Sequence, residues 1–104
     1  MTQYCLVYIT TKDEEEAEKI GKALVSERLA ACANLHPIKS IFRWQGQISQ
    51  EDEVALLAKT KAELANEVIS RVKELHSYEV PCVIVLPIEK GNPDFLAWLS
   101  QSTK

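Results

Sequence analysis

The chain has 104 residues, of which 46% are hydrophobic and 26% charged, and its formal net charge is −3. This length and balance predict one folded domain over residues 1–104 and exclude a disordered chain. Because Lys and Arg are few and scattered and no apolar run approaches the ~20 residues of a membrane span, we expect neither a nucleic-acid partner nor a membrane partner.

The first quarter of the chain predicts a strand followed by a helix. Residues 4–10 are rich in Val, Ile and Tyr, as is typical of a strand. Thr11-Lys12-Asp13-Glu14 matches a capping box, and apolar residues at helical spacing follow it as far as Glu27 or Arg28. Gly21 lies among those apolar residues, which indicates close packing of the helix on the sheet.

The chain's first residues lack the basic start and the cleavage site of a signal peptide, so we expect a cytoplasmic protein.

The middle of the chain predicts one unusually long hairpin. Residues 31–44 and 48–60 form two arms of more than a dozen residues each, compared with ~5–6 for a typical strand. Trp44-Gln45-Gly46-Gln47 supplies the turn. Pro37 predicts a bulge or bend in the first arm, because proline cannot donate a ladder hydrogen bond. So short a chain cannot cover both arms, and we expect their outer parts to pair with another copy of the chain.

The last part of the chain predicts a helix, a strand and a final helix. Thr60-Lys61-Ala62-Glu63 matches a second capping box, and residues 82–88 contain five consecutive apolar residues, as expected of a strand buried on both faces. Asn92 and Pro93 have the residue types of a helix N-cap and first helical position. The second helix carries the apolar stripe Leu64, Val68, Val72 and Leu75, and the final helix has Phe95, Leu96, Trp98 and Leu99 as anchors.

The order β-α-β-β-α-β with a terminal helix predicts an α+β, ferredoxin-like sandwich. Several functions of this topology lack their residues here. Residues 54–59, on a central strand, contain no aromatic platform for RNA, and the loop at residues 10–13 contains neither a C-x-x-C motif nor a glycine-rich phosphate cradle. The three cysteines are widely spaced and form no C-x-x-C, so we expect buried, reduced thiols in strands.

Two residues, His76 and Trp44, are compatible with either a structural or a functional role. His76 ends the second helix with Glu79 and Cys82 close behind it, which is compatible either with a favourable helix-dipole contact or with a metal ligand or proton carrier in a cleft. Trp44 at the hairpin tip is compatible with packing across a subunit interface or with stacking on a ligand. We expect the interface role for Trp44.

Blocks spread over the whole chain resemble the CutA divalent-cation tolerance proteins. The blocks are residues 27–34 (ERLAACAN), residues 44–48 (WQGQI), Glu53, Lys59-Thr60, residues 78–81 (YEVP) and residues 96–99 (LAWL). The resemblance implies a ferredoxin-like protomer in a PII-like homotrimer that is cytoplasmic, non-enzymatic and linked to tolerance of copper and other divalent cations. It also implies that Cys32, Trp44, Glu53, Lys59 and Tyr78 lie in a cleft or interface between subunits.

The same resemblance implies a copper site made of a cysteine at the end of the first strand and a His-His pair before a proline. This chain has Ile9, Leu75 and Ser77 where that cysteine, the first histidine and the proline would stand. His76 remains, and Cys82 occupies a position where the family often has Glu. We therefore expect no required cofactor and at most weak binding of copper or another divalent cation through His76 and Cys82.

The alternative function is a PII-like trimeric signalling or ligand-binding module, with a small molecule in a cleft lined by Cys32, Lys59 and Tyr78. A protein partner is expected in either case, without its identity.

Overall fold

The computed structural model describes residues 2–104. Its element order confirms the predicted β-α-β-β-α-β arrangement with a terminal helix. The elements are β1 (Tyr4–Thr11), α1 (Glu14–Ser26), β2 (Cys32–Trp44), β3 (Gln47–Lys61), a 3-10 turn (Ala62–Leu64), α2 (Ala65–Leu75), β4 (Val83–Ile88) and α3 (Pro93–Ser102). None of the helices is long and apolar enough to cross a membrane in the part of the chain described.

The four strands form one antiparallel sheet in the order β2-β3-β1-β4. β2 pairs with β3 along its whole length, from Cys32 opposite Lys59 to Trp44 opposite Gln47. β1 pairs with β3 only over residues 54–61, so the outer half of the hairpin extends beyond the rest of the sheet. The molecule measures 44 × 25 × 22 Å as a result. The long hairpin predicted from the sequence is confirmed.

The hairpin turn has the backbone geometry that its residues predict. Gln45 has φ 50° and Gly46 has φ 77°, so two consecutive residues occupy the left-handed region. A two-residue turn of that kind matches the right-handed twist of the two strands. The turn therefore pins the register of β2 against β3.

The core lies between one face of the sheet and helices α1 and α2. Alternate residues of β1 face the helices, and the fully buried side chains come from β1, β3 and both helices. These side chains include Val7, Ile9, Ile20, Leu24, Leu56, Val68 and Val72. A Cβ added to Gly21 would lie 3.4 Å from Leu56 Cδ1 and 3.7 Å from Ala33 Cβ, which are ordinary contact distances, so α1 packs on the sheet there without requiring a glycine.

Both predicted capping boxes are wrong, because their threonines belong to strands. Thr11 ends β1, where its hydroxyl donates to the carbonyl oxygen of Val54 at 2.8 Å. The N-cap of α1 is Asp13, whose Oδ1 accepts from the Glu16 backbone N–H at 2.8 Å. Thr60 lies near the end of β3, where its hydroxyl donates to the carbonyl oxygen of Leu29 at 2.6 Å. Helix α2 starts after a 3-10 turn and has no side-chain cap.

The bulge expected at Pro37 is also absent. Pro37 pairs with Val54 in a register that continues unbroken on both sides. β2 is an edge strand of the sheet, and edge strands tolerate proline because one side of the strand has no ladder partner. The prediction failed because the position of β2 within the sheet cannot be read from its own residues.

The expectation that the last strand is buried on both faces is wrong for the single chain. β4 is the other edge strand, and its residues Ile84 and Leu86 are 53% and 42% exposed. They pair with Tyr8 and Leu6 on the sheet face that points away from α1 and α2. We call this surface, formed by Leu6, Tyr8, Ile84 and Leu86, the open face.

Two smaller expectations are only partly met. Leu99 is the one predicted anchor of α3 that is fully buried, while Trp98 remains largely exposed. All three cysteines are free thiols, as expected, but only Cys5 is buried, and Cys82 precedes β4.

Candidate functional site

A groove of about 520 Å³ lies between the outer half of the hairpin and the segment that joins α2 to β4. Its lining includes five residues for which the sequence suggested a role, Trp44, Glu53, Tyr78, Glu79 and Cys82. The remaining lining residues are Thr10, Ser40, Ile41, Phe42, Ser49, Glu51 and Val80, most of them from the outer half of the hairpin.

Tyr78 and Glu53 form the central polar contact of the groove. The Tyr78 hydroxyl donates to Glu53 Oε2 at 2.6 Å, although 25 residues separate the two in sequence. Burial and this bond to a carboxylate raise the pKa of Tyr78 well above its ordinary value, and the negative charges of Glu51 and Glu16 act in the same direction. Tyr78 is therefore a neutral hydrogen-bond donor at physiological pH.

His76 lies behind the groove and is held by backbone groups. Its side chain is 0% exposed. Nε2 lies 2.7 Å from the carbonyl oxygen of Thr10, and Nδ1 accepts from the Tyr78 backbone N–H at 3.1 Å. Since a carbonyl can only accept, Nε2 carries the proton and the ring is the neutral Nε2–H tautomer. The His76 ring also packs on the Tyr78 ring with centroids 4.8 Å apart, which helps to orient the phenol.

A buried carboxylate that sequence reasoning overlooked completes this network. Glu16 Oε2 accepts from the Ser77 backbone N–H at 2.8 Å, and Oε1 accepts from the Lys12 backbone N–H at 3.1 Å. Burial opposes ionisation of Glu16, but the bonds from Ser77 and Lys12 outweigh it and lower its pKa. Glu16 thereby ties α1 to the segment that carries Tyr78. In the sequence it resembles any first-turn acid, so no local signal marks it.

Cys32 and Lys59 lie outside the groove of the same protomer. They are opposite each other in the β2–β3 ladder, with Lys59 Nζ 3.8 Å from Cys32 Sγ and also donating to Asn34 Oδ1. Asn34 was not singled out from the sequence. That Cys32 and Lys59 share a cleft with Tyr78 across subunits stays a prediction.

The predicted metal ligands are not brought together into a ready site within one chain. No group of three or more His, Cys, Asp or Glu side chains is arranged to hold a metal ion among residues 2–104. A metal ion at His76 would have to displace Thr10 or Tyr78 from one of the ring nitrogens. Metal binding by His76 and Cys82 stays a prediction.

The fold and the groove define a class: ferredoxin-like α+β proteins with an extended hairpin and a ligand-sized groove beside its outer half. Within that class, the sequence model of the CutA1 divalent ion tolerance proteins matches residues 5–102. The chain belongs to this family.

Relatives and solved structures agree over almost the full length. The divalent-cation tolerance protein CutA of Archaeoglobus fulgidus is 45% identical over 98 residues, covering 94% of this chain and 96% of the relative. The Thermus thermophilus protein of the same name is 48% identical over 99 residues, covering 94% and 96%. The structure of the Archaeoglobus fulgidus protein, which is described as periplasmic, superposes with a TM-score of 0.95 at 44% identity and covers 97% of this chain and 99% of that one. CutA of Xylella fastidiosa gives a TM-score of 0.96 at 38% identity, covering 99% and 100%.

Proposed function

We propose that this protein is a non-enzymatic, cytoplasmic homotrimer that takes part in the tolerance of divalent metal ions such as copper. Membership of the CutA1 family supports the link to divalent ions. The observation that supports the assembly is the open face, because an exposed apolar sheet surface such as that of Ile84 and Leu86 is typical of a protein–protein interface.

The unequal strand lengths support a closed ring, and the resemblance to the CutA proteins implies that the ring has three copies. The outer half of β3 pairs only with β2, and β2 and β4 leave two sheet edges free in the protomer. If the hairpin edge of one copy meets the β4 edge of the next, the contact is head-to-tail and a ring satisfies every edge. Sedimentation equilibrium at micromolar concentration is expected to give three times the chain mass of 11.7 kDa. A stable monomer would contradict the proposal.

The non-enzymatic assignment follows the family, which is a family of divalent-ion tolerance proteins. His76 adds no indication of catalysis, because both of its ring nitrogens are bonded to backbone groups.

The link to copper is tested by anaerobic titration of the reduced protein. We expect weak binding that depends on His76, since the ring must leave a backbone partner to reach a metal ion. His76→Ala is expected to abolish the binding, and Cys82→Ser to weaken it if the thiol joins the site. Tight binding that survives both substitutions would place the metal elsewhere and refute this assignment.

The second candidate is a PII-like trimeric module that binds a small ligand. It is favoured by the volume of the groove, about 520 Å³, which lies within the usual ~300–1,000 Å³ of small-molecule sites. In this case no metal ion binds, and a specific small molecule raises the melting temperature by binding the folded state. Copper titration and thermal shift on the same preparation separate the two candidates.

A further inference from the structure

We propose that α3 is part of a releasable strap over the end of the open face and that Arg28 is the latch that holds it closed. The strap comprises residues 93–104. The proposal needs neither a metal ion nor a small ligand, and it rests on bonds made within one chain, which do not depend on the number of copies. It gives a role to a residue of the block 27–34 that the proposed function leaves without one.

Arg28 has a backbone conformation that is unfavourable for its residue type. Its φ of 61° lies in the left-handed region, where glycine is the residue of lowest cost. The turn that ends α1 requires this conformation, because the Leu29 N–H donates to the Leu24 carbonyl oxygen at 2.9 Å and the Arg28 N–H donates to that of Val25 at 3.1 Å. A residue other than glycine in such a position indicates that its side chain makes a contact that offsets the strain.

The Arg28 side chain bonds to the last turn of the strap. Its Nη2 donates to the carbonyl oxygen of Gln101 at 2.7 Å and to that of Thr103 at 3.3 Å. The last carbonyls of a helix have no partner within the helix, and a charged donor forms a stronger hydrogen bond with them than a neutral one. In the other direction, the Lys104 N–H donates to the Arg28 carbonyl oxygen at 3.0 Å. Arg28 therefore joins the end of α1 to the end of α3 through both its side chain and its backbone.

Within the chain, the strap is anchored mainly at one end. Leu99 is fully buried and Thr103 is 4% exposed, and burial within one chain can only increase in an assembly. Near the start of α3, Phe95 and Leu96 are only half-buried, and among residues 2–104 no side chain from residues 92–98 forms a hydrogen bond to another element. A helix held in this way opens as a unit, at a lower free energy than the whole fold, when its anchored end is released.

Release of the strap would change the open face. The Tyr4 hydroxyl lies 2.6 Å from that of Ser100, and Lys61 Nζ donates to the Lys104 carbonyl oxygen at 2.9 Å. Tyr4 is on the same face of β1 as the residues of the open face, and it pairs with Lys61. Opening therefore frees a phenol and an ammonium group at the end of the open face, and the latch controls whether they are available.

Hydrogen exchange of the assembled protein, measured by mass spectrometry on peptides from α1, α2 and α3, tests the latch. In the wild type we expect α3 to exchange faster than α1 and α2. Arg28→Gly removes the latch but suits the left-handed backbone, so α3 should exchange about tenfold faster than in the wild type while α1 and α2 keep their protection. Arg28→Ala removes the latch and keeps the strain, so it should also speed the exchange of α1. Arg28→Lys keeps a charged donor without the fork of the guanidinium, and its effect on α3 should lie between wild type and Arg28→Gly.

Gln45→Gly is the matched control. Gln45 also has a positive φ, 50°, but it lies in the hairpin turn between β2 and β3 and not beside α3. The same relief of backbone strain at this position should leave the exchange of α3 unchanged.

Three results would overturn the proposal. Equal exchange of α3 and the other two helices in the wild type would mean that the strap does not open separately. Unchanged exchange of α3 in Arg28→Gly would show that Arg28 is not its latch. A return of α3 in that variant to the wild-type rate as the protein concentration rises would show that a neighbouring copy, rather than Arg28, holds the strap.

Discussion

At the scale of single residues, the site depends on a few polar side chains that hold one another in place. Glu16 fixes Ser77, His76 fixes the Tyr78 backbone, and Tyr78 bonds to Glu53. The contacts of Glu16 with Ser77 and of Tyr78 with Glu53 join different parts of the fold, so a change in one residue should be measurable at another.

The first prediction concerns the ionisation of Tyr78. The pKa of Tyr78 in the folded protein lies above its value of about 10 in the unfolded chain. The stabilisation by the neutral phenol is therefore complete below about pH 10 and is lost as the pH rises through the folded pKa. Just above about pH 10, wild type and Tyr78→Phe should therefore show the same tyrosinate absorbance. If the wild type shows one ionised tyrosine more than the variant, Tyr78 is not protected.

The Tyr78→Phe variant should also be less stable at neutral pH. Removing the hydroxyl takes away the hydrogen bond of a nearly buried carboxylate, which costs about 1–3 kcal/mol. Chemical denaturation measures this loss, and Tyr8→Phe, on the open face, provides a control with the same chemical change.

Glu16 should control stability in acid. Its folded pKa is lowered, so its contribution is present above the unfolded value of about 4.3 and disappears as the pH falls through the folded pKa. At pH 7 we expect Glu16→Gln to cost about 1–3 kcal/mol, because two backbone N–H groups lose a charged acceptor. The difference from wild type should shrink in acid. Glu15→Gln changes an exposed neighbour and should leave the dependence of stability on pH in acid the same as in the wild type.

At the scale of elements, the order and type of the segments were predicted correctly, whereas helix starts and the surroundings of single strands were not. The long hairpin and its turn were predicted correctly because pairing and turn geometry are local. The threonine capping boxes failed because Thr11 and Thr60 lie within β1 and β3, where their hydroxyls bond to backbone carbonyls of other parts of the chain.

Gly21 permits a prediction at this scale. It lies inside α1, where the added Cβ of alanine would make only ordinary contacts with Leu56 and Ala33. Gly21→Ala is expected to raise the free energy of unfolding by up to about 1 kcal/mol, because alanine has the higher helix propensity. Gly46→Ala is the matched control: with φ 77° it should lower stability by about 1–2 kcal/mol. Destabilisation by Gly21→Ala would show that α1 cannot accommodate a methyl group there.

At the scale of the whole molecule, the single folded chain leaves a large apolar surface uncovered. The open face and the projecting half of the hairpin carry large apolar side chains that no part of residues 2–104 covers. The burial expected for β4 from its apolar run would be restored only in an assembly.

Trp44→Ala tests this expectation. Trp44 is 41% exposed in the protomer, so its loss should disturb the core little, whereas truncating a Trp buried in an interface costs about 3–5 kcal/mol. Melting of the variant should therefore become concentration-dependent. Val25→Ala, which is equally exposed at 41% but lies on α1, should not have this effect. A variant that melts at the wild-type temperature at every concentration would exclude Trp44 as an interface anchor.

The element order and the hairpin could be read from the amino-acid sequence, because strand alternation, helix periodicity and turn residues are properties of short segments. Blocks of residues along the chain also showed the family resemblance and pointed to Trp44, Glu53, Tyr78 and Cys82, but not to a shared groove. Which side chains meet depends on the folded structure. The bonds from Ser77 to Glu16 and from Tyr78 to Glu53 span 61 and 25 residues, and they exist because the sheet order brings β3 beside β1 and the end of α2 beside the start of α1. The edge positions of β2 and β4 follow from the same sheet order, which is why the sequence misjudged Pro37 and the burial of β4.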